Sequence, residues 1–181
     1  MIVENLHIDG LVVLHPRRFS DSRGYFFETF NAEKYAELLG DDVKFVQDNV
    51  SVSKKNVLRG LHFQSPPAAQ GKLVSVLQGK VIDVAVDLRK NSKTYGQHVA
   101  IELSAENGVQ FWIPEGFAHG FAVLEENTIF SYKCTKLYSP ENEVTIMWND
   151  LNLQIDWGID NPIVSDKDGL GLNFTTFVTQ F

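Results

Sequence analysis

Two histidine-bearing segments carry the residue types best suited to proton-transfer chemistry. Leu58-Arg59-Gly60-Leu61-His62-Phe63-Gln64 sets an imidazole near a guanidinium and a glycine, and Gly108-x5-Pro114-x-Gly116-x2-His119 runs into Gly120-Phe121. An imidazole titrates at ~6.5 when unperturbed, so either ring can accept a proton at neutral pH. Metal ligation competes for the same residues. A cage of histidines needs a second imidazole or carboxylate at ligand spacing, and His62 is followed instead by Phe63 and Gln64. Two imidazoles without a spaced carboxylate supply a metal poorly, so no metal is expected. Each histidine also has a structural reading. His62 can be a hydrogen-bonded core residue on a strand, and His119 a structural imidazole in a tight corner; the favoured reading of His119 is a mixed role, pocket wall plus one polar contact.

Other polar side chains stand in apolar surroundings, where burial demands a partner or a function. Arg59 precedes Gly60, which permits close backbone approach and leaves a guanidinium free to aim at phosphate. Lys72 follows Gln70-Gly71 and opens the apolar run Leu73–Val76. Asp83 and Asp87 sit in a Val-rich stretch and read as barrel-face ion pairs or a solvated edge. Tyr132 and Lys133 follow Ile129-Phe130-Ser131. Asp21-x-Arg23-Gly24-x-Phe26-x-Glu28 joins a turn to alternating charges. Arg23 and Glu28 could clamp an anion and a hydroxyl, or form an exposed surface hairpin with an ion pair worth little. Gln47-Asp48-Asn49 offers amides to a base or sugar, or simply a polar turn.

These residues need a scaffold, and the pattern is of short strands. Leu73–Val76 leads through Gln78-Gly79-Lys80 to Val81–Leu88, which reads as two strands with a tight reversal. Val99–Leu103, Gln110–Ile113, Phe121–Leu124, Ile129–Cys134 and Val144–Trp148 follow, with turn residues between them. Turn signals every ~8–12 residues indicate an antiparallel sandwich or barrel. A jelly-roll or cupin barrel is one of the few closed solutions for so many strands, so the expected class is all-β with a few short helices. One helix stands out: Asn31 can cap it, Tyr35, Leu38 and Leu39 form its stripe, and Gly40 can end it. From Asp150 onward periodicity is weak, and loops with a short helix are expected to wrap the barrel.

The 181 residues, 44% apolar and 22% charged, suit a single domain over 1–181 with a real core. A net charge of −7 gives no bulk attraction to nucleic acid, although a few local cations suffice for a small anion. The single cysteine, Cys134, excludes an internal disulfide and suits a buried thiol. Met1–Gly10 carries Glu4 and Asp9 and does not read as a signal peptide, and no apolar run approaches the ~20 residues that span a bilayer. A cytoplasmic location without membrane partners is expected.

The segment ending in His119 matches most of the second metal motif of cupins, with Val123 where that motif has Asn. More of the chain resembles the dTDP-4-dehydrorhamnose 3,5-epimerase family. The resemblance runs in order through Asp21–Glu28, Phe45–Asn49, Val57–Gln64, Gln70–Val74, Asp83–Arg89, Trp112–Phe121, Tyr132-Lys133, Trp148–Asp150 and Ser165–Asp168. It implies a metal-free cupin barrel, no cofactor, a homodimer, and a thymidine diphosphate 4-keto-6-deoxy sugar as substrate in dTDP-rhamnose biosynthesis. Residue by residue, it implies that His62 is the general base, Asp168 its paired carboxylate, Tyr132 the proton donor and Lys72 the cation beside the C4 oxygen. Arg23, Glu28, Gln47, Asn49, Arg59, His119, Glu143 and Lys167 are implied as nucleotide and sugar contacts. A C4 ketone acidifies the hydrogens at C3 and C5, because the carbanion delocalises onto oxygen. Alternatives are an epimerase acting at one carbon or on another nucleotide sugar, a ketoisomerase on the same scaffold, a non-catalytic sugar-binding barrel and, disfavoured for want of ligands, a metal-dependent cupin oxygenase.

Overall fold

The computed structural model describes residues 1–181. In chain order its elements are β1 (Ile2–Asn5), β2 (Val12–His15), β3 (Phe19–Asp21), β4 (Gly24–Phe26), α1 (Ala32–Leu39), β5 (Gln47–Ser53), β6 (Leu58–Gln64), β7 (Lys72–Gln78), β8 (Lys80–Asp87), β9 (His98–Ser104), β10 (Gln110–Ile113), β11 (Phe117–Val123), β12 (Thr128–Cys134) and β13 (Glu143–Thr145). Short 3₁₀ turns cover Pro140–Asn142 and Asp168–Leu170.

Eleven strands form two antiparallel sheets, one ordered β1-β2-β10-β7-β12-β5 and the other β13-β6-β11-β8-β9; β3 and β4 make a separate hairpin. This is the all-β jelly-roll of the cupin type that the strand pattern predicts. One local expectation fails. The reversal at Gln78-Gly79-Lys80 does not pair its flanking strands, because β7 belongs to the six-stranded sheet and β8 to the five-stranded one. Gly79 has φ +78° and no room for a side chain against Thr128, so the chain turns a corner between sheets there. A tight turn signal reports the reversal, but not which partner each strand will choose.

Period-two alternation assigns the faces. Val74 and Val76 of β7, Phe111 and Ile113 of β10, and Phe130 of β12 meet Val81 and Ala85 of β8, Leu103 of β9, and Phe117 and Phe121 of β11 in the space between the sheets. The opposite faces are also covered. On the six-stranded sheet, Val12, Leu14, Leu73 and Trp112 pack under Tyr35 of α1 with Phe30 and Phe45. On the five-stranded sheet, Leu58, Leu61, Phe63, Val84, Val86, Ala118 and Ala122 lie under Leu153, Trp157, Phe174, Phe177 and Phe181 of the C-terminal segment. Burial on both faces explains why β11 is buried throughout instead of alternating with polar residues.

Helix α1 begins and ends where the sequence indicates. The Asn31 side chain accepts the Lys34 amide at 3.2 Å, and Gly40 leaves the helix at φ +117°. Tyr35 then anchors the helix by donating its hydroxyl to Gln110 Oε1 at 2.5 Å.

At the site, β6 departs from alternation. His62 pairs with His119 of β11, but Arg59 pairs with Phe121, so three residues of β6 span two of β11. This β-bulge at Gly60-Leu61 reverses the facing of what precedes it. Arg59 and His62, three apart, therefore both face the interior, while Leu58 and Leu61 both face the outer layer. Gly60 takes φ +127°, and a Cβ there would lie 2.5 Å from Gly120 Cα and 2.8 Å from the His119 carbonyl oxygen. We predict that Gly60→Ala costs about 3 kcal/mol, combining ~1–3 kcal/mol for the backbone conformation with ~1–3 kcal/mol of overpacking. Urea denaturation checks this; a variant within ~0.5 kcal/mol of the parent would show that the bulge tolerates a side chain.

Candidate active site

At one mouth of the barrel, the gap between the sheets opens into a cavity of about 480 Å³. Its walls include Arg59 and His62 from β6, Lys72 from β7, His119 from β11, Ser51 from β5, Tyr132 from β12, and Ser165, Lys167 and Asp168 from the C-terminal segment. A smaller cavity of about 90 Å³ adjoins it, sharing His62, Lys72 and Tyr132 and adding Gln47, Asn49, Tyr138 and Glu143. His62, Lys72 and Tyr132 thus stand where the two spaces meet. Alternation places Lys72 inward with Val74 and Val76, and Tyr132 inward with Phe130.

His62 and Asp168 are 106 residues apart in the chain and in contact here: His62 Nε2 lies 2.5 Å from Asp168 Oδ1. Asp168 is buried, and its other oxygen faces the Gly60 amide at 3.5 Å. The Ser165 hydroxyl accepts from the Asp168 amide at 3.2 Å, which fixes the start of the last 3₁₀ turn. Burial alone would raise the Asp168 pKa; the hydrogen bond and charge of His62, with Ser165 and Gly60, hold it below the ordinary carboxylate value. His62 Nδ1 has no partner within the chain, so with Nε2 bound to the carboxylate it is the ring atom free to take a proton.

Lys72 and Tyr132 come from the sheet opposite His62. Lys72 makes no salt bridge. Burial lowers its pKa, opposed by the fields of Cys134, Asp83 and Glu143. Burial raises the Tyr132 pKa, which keeps the phenol protonated at neutral pH. His119 is not in a corner, as its flanking glycine and phenylalanines suggest, but in the middle of β11. Its Nε2 lies 3.0 and 2.9 Å from the two oxygens of Asp83, a residue with no exposed surface. Of the two expectations for Asp83 and Asp87, the solvated edge does not hold: both are buried, Asp83 against the His119 ring and Asp87 in an ion pair with Arg89. Asp87 is fully buried and takes Arg89 Nη2 at 2.8 Å, with Ser92 and Thr94 as further donors.

Glu143 accepts the Tyr138 hydroxyl at 2.6 Å and pairs with Lys167, and those contacts hold its pKa down against burial. Gln47 and Asn49 are not in a turn: they open β5, hydrogen-bond each other at 3.0 Å, and face the smaller cavity. Arg59 donates through Nε to Ser53 at 3.2 Å. The Cys134 thiol is buried.

Two of the residues singled out are not at this cavity. Arg23 is on the β3–β4 hairpin, exposed, with Nη2 2.6 Å from Asp21 Oδ2, and Glu28 pairs with Lys34 at 2.7 Å. Conversely, Tyr138 and the stretch Ile163-Val164 escape a sequence reading, and Ser165 falls in a matching stretch without a role of its own. They lie on segments without periodicity, and only the wrapping of the chain end brings them to the mouth.

The fold and this cavity define a cupin-type jelly-roll barrel with acid–base side chains converging at its mouth. The chain belongs to the dTDP-4-dehydrorhamnose 3,5-epimerase family, whose sequence model matches residues 5–175. It is 54% identical to the dTDP-4-dehydrorhamnose 3,5-epimerase of Salmonella typhimurium over 169 residues, covering 93% of this chain and 92% of that one. Among solved structures, it resembles the dTDP-6-deoxy-D-glucose-3,5-epimerase RmlC of Legionella pneumophila in complex with dTDP-4-keto-L-rhamnose, with TM-score 0.94, 50% identity, and coverage of 98% of this chain and 94% of that one. It also resembles ChmJ, a 3'-monoepimerase of Streptomyces bikiniensis in complex with dTDP-quinovose, with TM-score 0.90, 31% identity, and coverage of 95% and 87%. No helix is long and apolar enough to cross a membrane.

Because the folded-state pKa of Asp168 lies below the unfolded value of ~3.9, its pairing stabilises the fold above that pH and is lost as pH falls through the lower folded value. Asp168→Asn is predicted to flatten the fall of unfolding free energy below pH ~4. Urea melts from pH 3 to 6 measure this; an unchanged acid slope would mean that the contact adds nothing to stability.

Proposed function

We propose that the chain epimerises dTDP-4-dehydro-6-deoxy-D-glucose at C3 and C5 to dTDP-4-dehydro-L-rhamnose, with His62 as base and Tyr132 as acid. The observation that carries this is the placement of His62 on one sheet, backed by Asp168 from the C-terminal segment, and of Lys72 with Tyr132 on the other sheet, across a single cavity. Inverting a carbon requires removing a proton from one face of the ring and returning one to the other, and the two sheets supply those faces.

A hydrogen beside the C4 ketone leaves as a proton to His62 Nδ1, and the electron pair of the broken C–H bond delocalises onto O4. Asp168 holds the Nε2–H of the ring and offsets the charge of the imidazolium that forms. Lys72 stabilises the negative charge developing on O4, an electrostatic contribution of ~3–4 kcal/mol in comparable sites. The enolate carbon then takes the Tyr132 phenolic proton from the opposite side, restoring the ketone with inverted configuration. Protons return from His62 and to Tyr132 through solvent, so nothing is oxidised or reduced. Gln47, Asn49, Arg59, His119, Glu143 and Lys167 surround this centre, with Arg59 and Lys167 as the cations suited to a diphosphate.

The protein works as a homodimer in this reading, and Arg23 and Glu28 act on the neighbouring subunit's cavity. The β3–β4 hairpin that carries Arg23 and leads to Glu28 lies apart from both sheets and exposes Phe19, Tyr25 and Phe26 at 52, 55 and 70%. A patch of this kind suits contact with a second copy. The reaction belongs to the cytoplasm, where nucleotide sugars are made.

Proton NMR of the protein with dTDP-4-keto-6-deoxyglucose in heavy water tests the reaction. Deuterium is expected at both C3 and C5, with a rhamno-configured product; exchange at one carbon would make it a monoepimerase like ChmJ, and a new 3-keto signal a ketoisomerase. His62→Asn should lower turnover ~10²–10⁴-fold while the protein stays folded, and Tyr132→Phe should slow product formation similarly while sparing wash-out. Full activity in either variant would remove that residue's assignment. For the dimer, His62→Asn and Arg23→Ala subunits are refolded together. Recovered activity places Arg23 in the partner's site, because only a mixed dimer with contributions in trans restores one intact site; no recovery places it elsewhere.

A further inference from the structure

A second histidine–carboxylate pair faces the same cavity, and the reaction as described leaves its carboxylate without a role. His119 and His62 are direct cross-strand partners, so their rings stand side by side on the inner face of the five-stranded sheet. Asp83, on the next strand, has no exposed surface and presents both oxygens to His119 Nε2. An ionised carboxylate only accepts, so Nε2 carries the hydrogen. His119 Nδ1 has no partner in the chain. The buried side-chain polar atoms left without partners are Ser51 Oγ and Thr145 Oγ1, so Nδ1 keeps an open face, and the open space that His119 lines is the cavity.

We propose that Asp83 is a positioning residue that locks His119 in its Nε2–H tautomer, so that His119 meets the sugar ring as a hydrogen-bond acceptor only. This rests on the reading of the cavity as a keto-sugar site. Across the cavity, Lys72 is a donor only. A 4-keto sugar carries one oxygen that only accepts, the ketone, and hydroxyls that can donate. A donor wall and an acceptor wall therefore sort its orientation: the ketone turns to Lys72 and a hydroxyl to His119. In the reversed orientation the ketone oxygen would face the Nδ1 lone pair, two acceptors in contact, and the Lys72 ammonium would lose its carbonyl. Burial lowers the His119 pKa against the opposing pull of Asp83, which favours the neutral ring that this role needs.

The test is nitrogen-15 NMR of the full chain labelled at histidine, with the His119 signals assigned from a His119→Asn variant. A neutral His119 ring protonated at Nε2, with a hydrogen-free Nδ1, is expected. A ring protonated at Nδ1, or at both nitrogens, overturns the proposal. Asp83→Asn offers the ring an amide that can donate as well as accept, so the tautomers should mix and kcat/KM should fall ~2–10-fold, the scale of a hydrogen bond between neutral groups. That loss should appear mainly in KM, since the contact orients substrate and touches no migrating proton. An unmixed tautomer with an unchanged KM in a folded Asp83→Asn protein also overturns it; if that variant does not fold, the parent's tautomer decides. A parent protein that neither binds dTDP nor exchanges substrate deuterium fails the functional reading instead, whatever tautomer His119 adopts.

Discussion

The site depends on two glycines in contact. Where β6 crosses β11, Gly60 and Gly120 approach so closely that neither a Cβ on Gly60 nor one on Gly120 has room, the latter meeting the Arg59 carbonyl oxygen at 2.8 Å. That approach admits the bulge, and the bulge sets which way the strand's polar residues point. In regular alternation Arg59 and His62 would face opposite sides, and one of them would be driven into the apolar layer under the C-terminal segment. With one extra residue in the strand, the guanidinium and the imidazole share the cavity, the leucines on either side of Gly60 share the outer layer, and the Gly60 amide is turned toward Asp168. A guanidinium, an imidazole and the carboxylate it meets are arranged around one backbone irregularity.

The cavity must hold several ionisable groups in a barrel whose other interior residues are aliphatic and aromatic. Unpaired charge there is costly, so each imidazole on the inner wall has its own carboxylate. Arg59 and Lys72 have no ion pair, and Lys72, the more deeply set of the two, has only the more distant fields of Asp83, Glu143 and Cys134 to support its charge. A cation without a fixed partner is suited to neutralise charge that appears on a substrate oxygen, because no existing salt bridge need break.

The jelly-roll supplies two facing walls but not the carboxylate that pairs with His62. Asp168 arrives from the segment that wraps the outer face of the five-stranded sheet, held by Leu153, Trp157 and the terminal phenylalanines. Apolar burial far from the cavity is thus part of what sets the histidine's tautomer. The likeness to ChmJ, a monoepimerase on nearly the same backbone, indicates that the number of carbons inverted is decided by cavity shape and contacts and not by the barrel.

How much of this can be read from the chain alone follows from the range of each interaction. Turn residues and alternating apolar positions act over a few neighbours, so the all-β class, the capped helix ending at Gly40, the buried cysteine and the irregular wrap after Asp150 were legible in the sequence itself. The candidates His62, Lys72 and Tyr132 were legible too, as polar residues in apolar strands. Pairing across sheets is a long-range choice. The sequence signal at Gln78-Gly79-Lys80 marked a reversal and not the passage from one sheet to the other, and Asp83 read as an ordinary ion pair because its partner lies 36 residues away on the next strand. The joining of His62 to Asp168 followed from resemblance, not from any local pattern. Only the tertiary structure brought the two together, because the bulge at Gly60 and the packing of the C-terminal phenylalanines depend on contacts between residues that no sequence window contains.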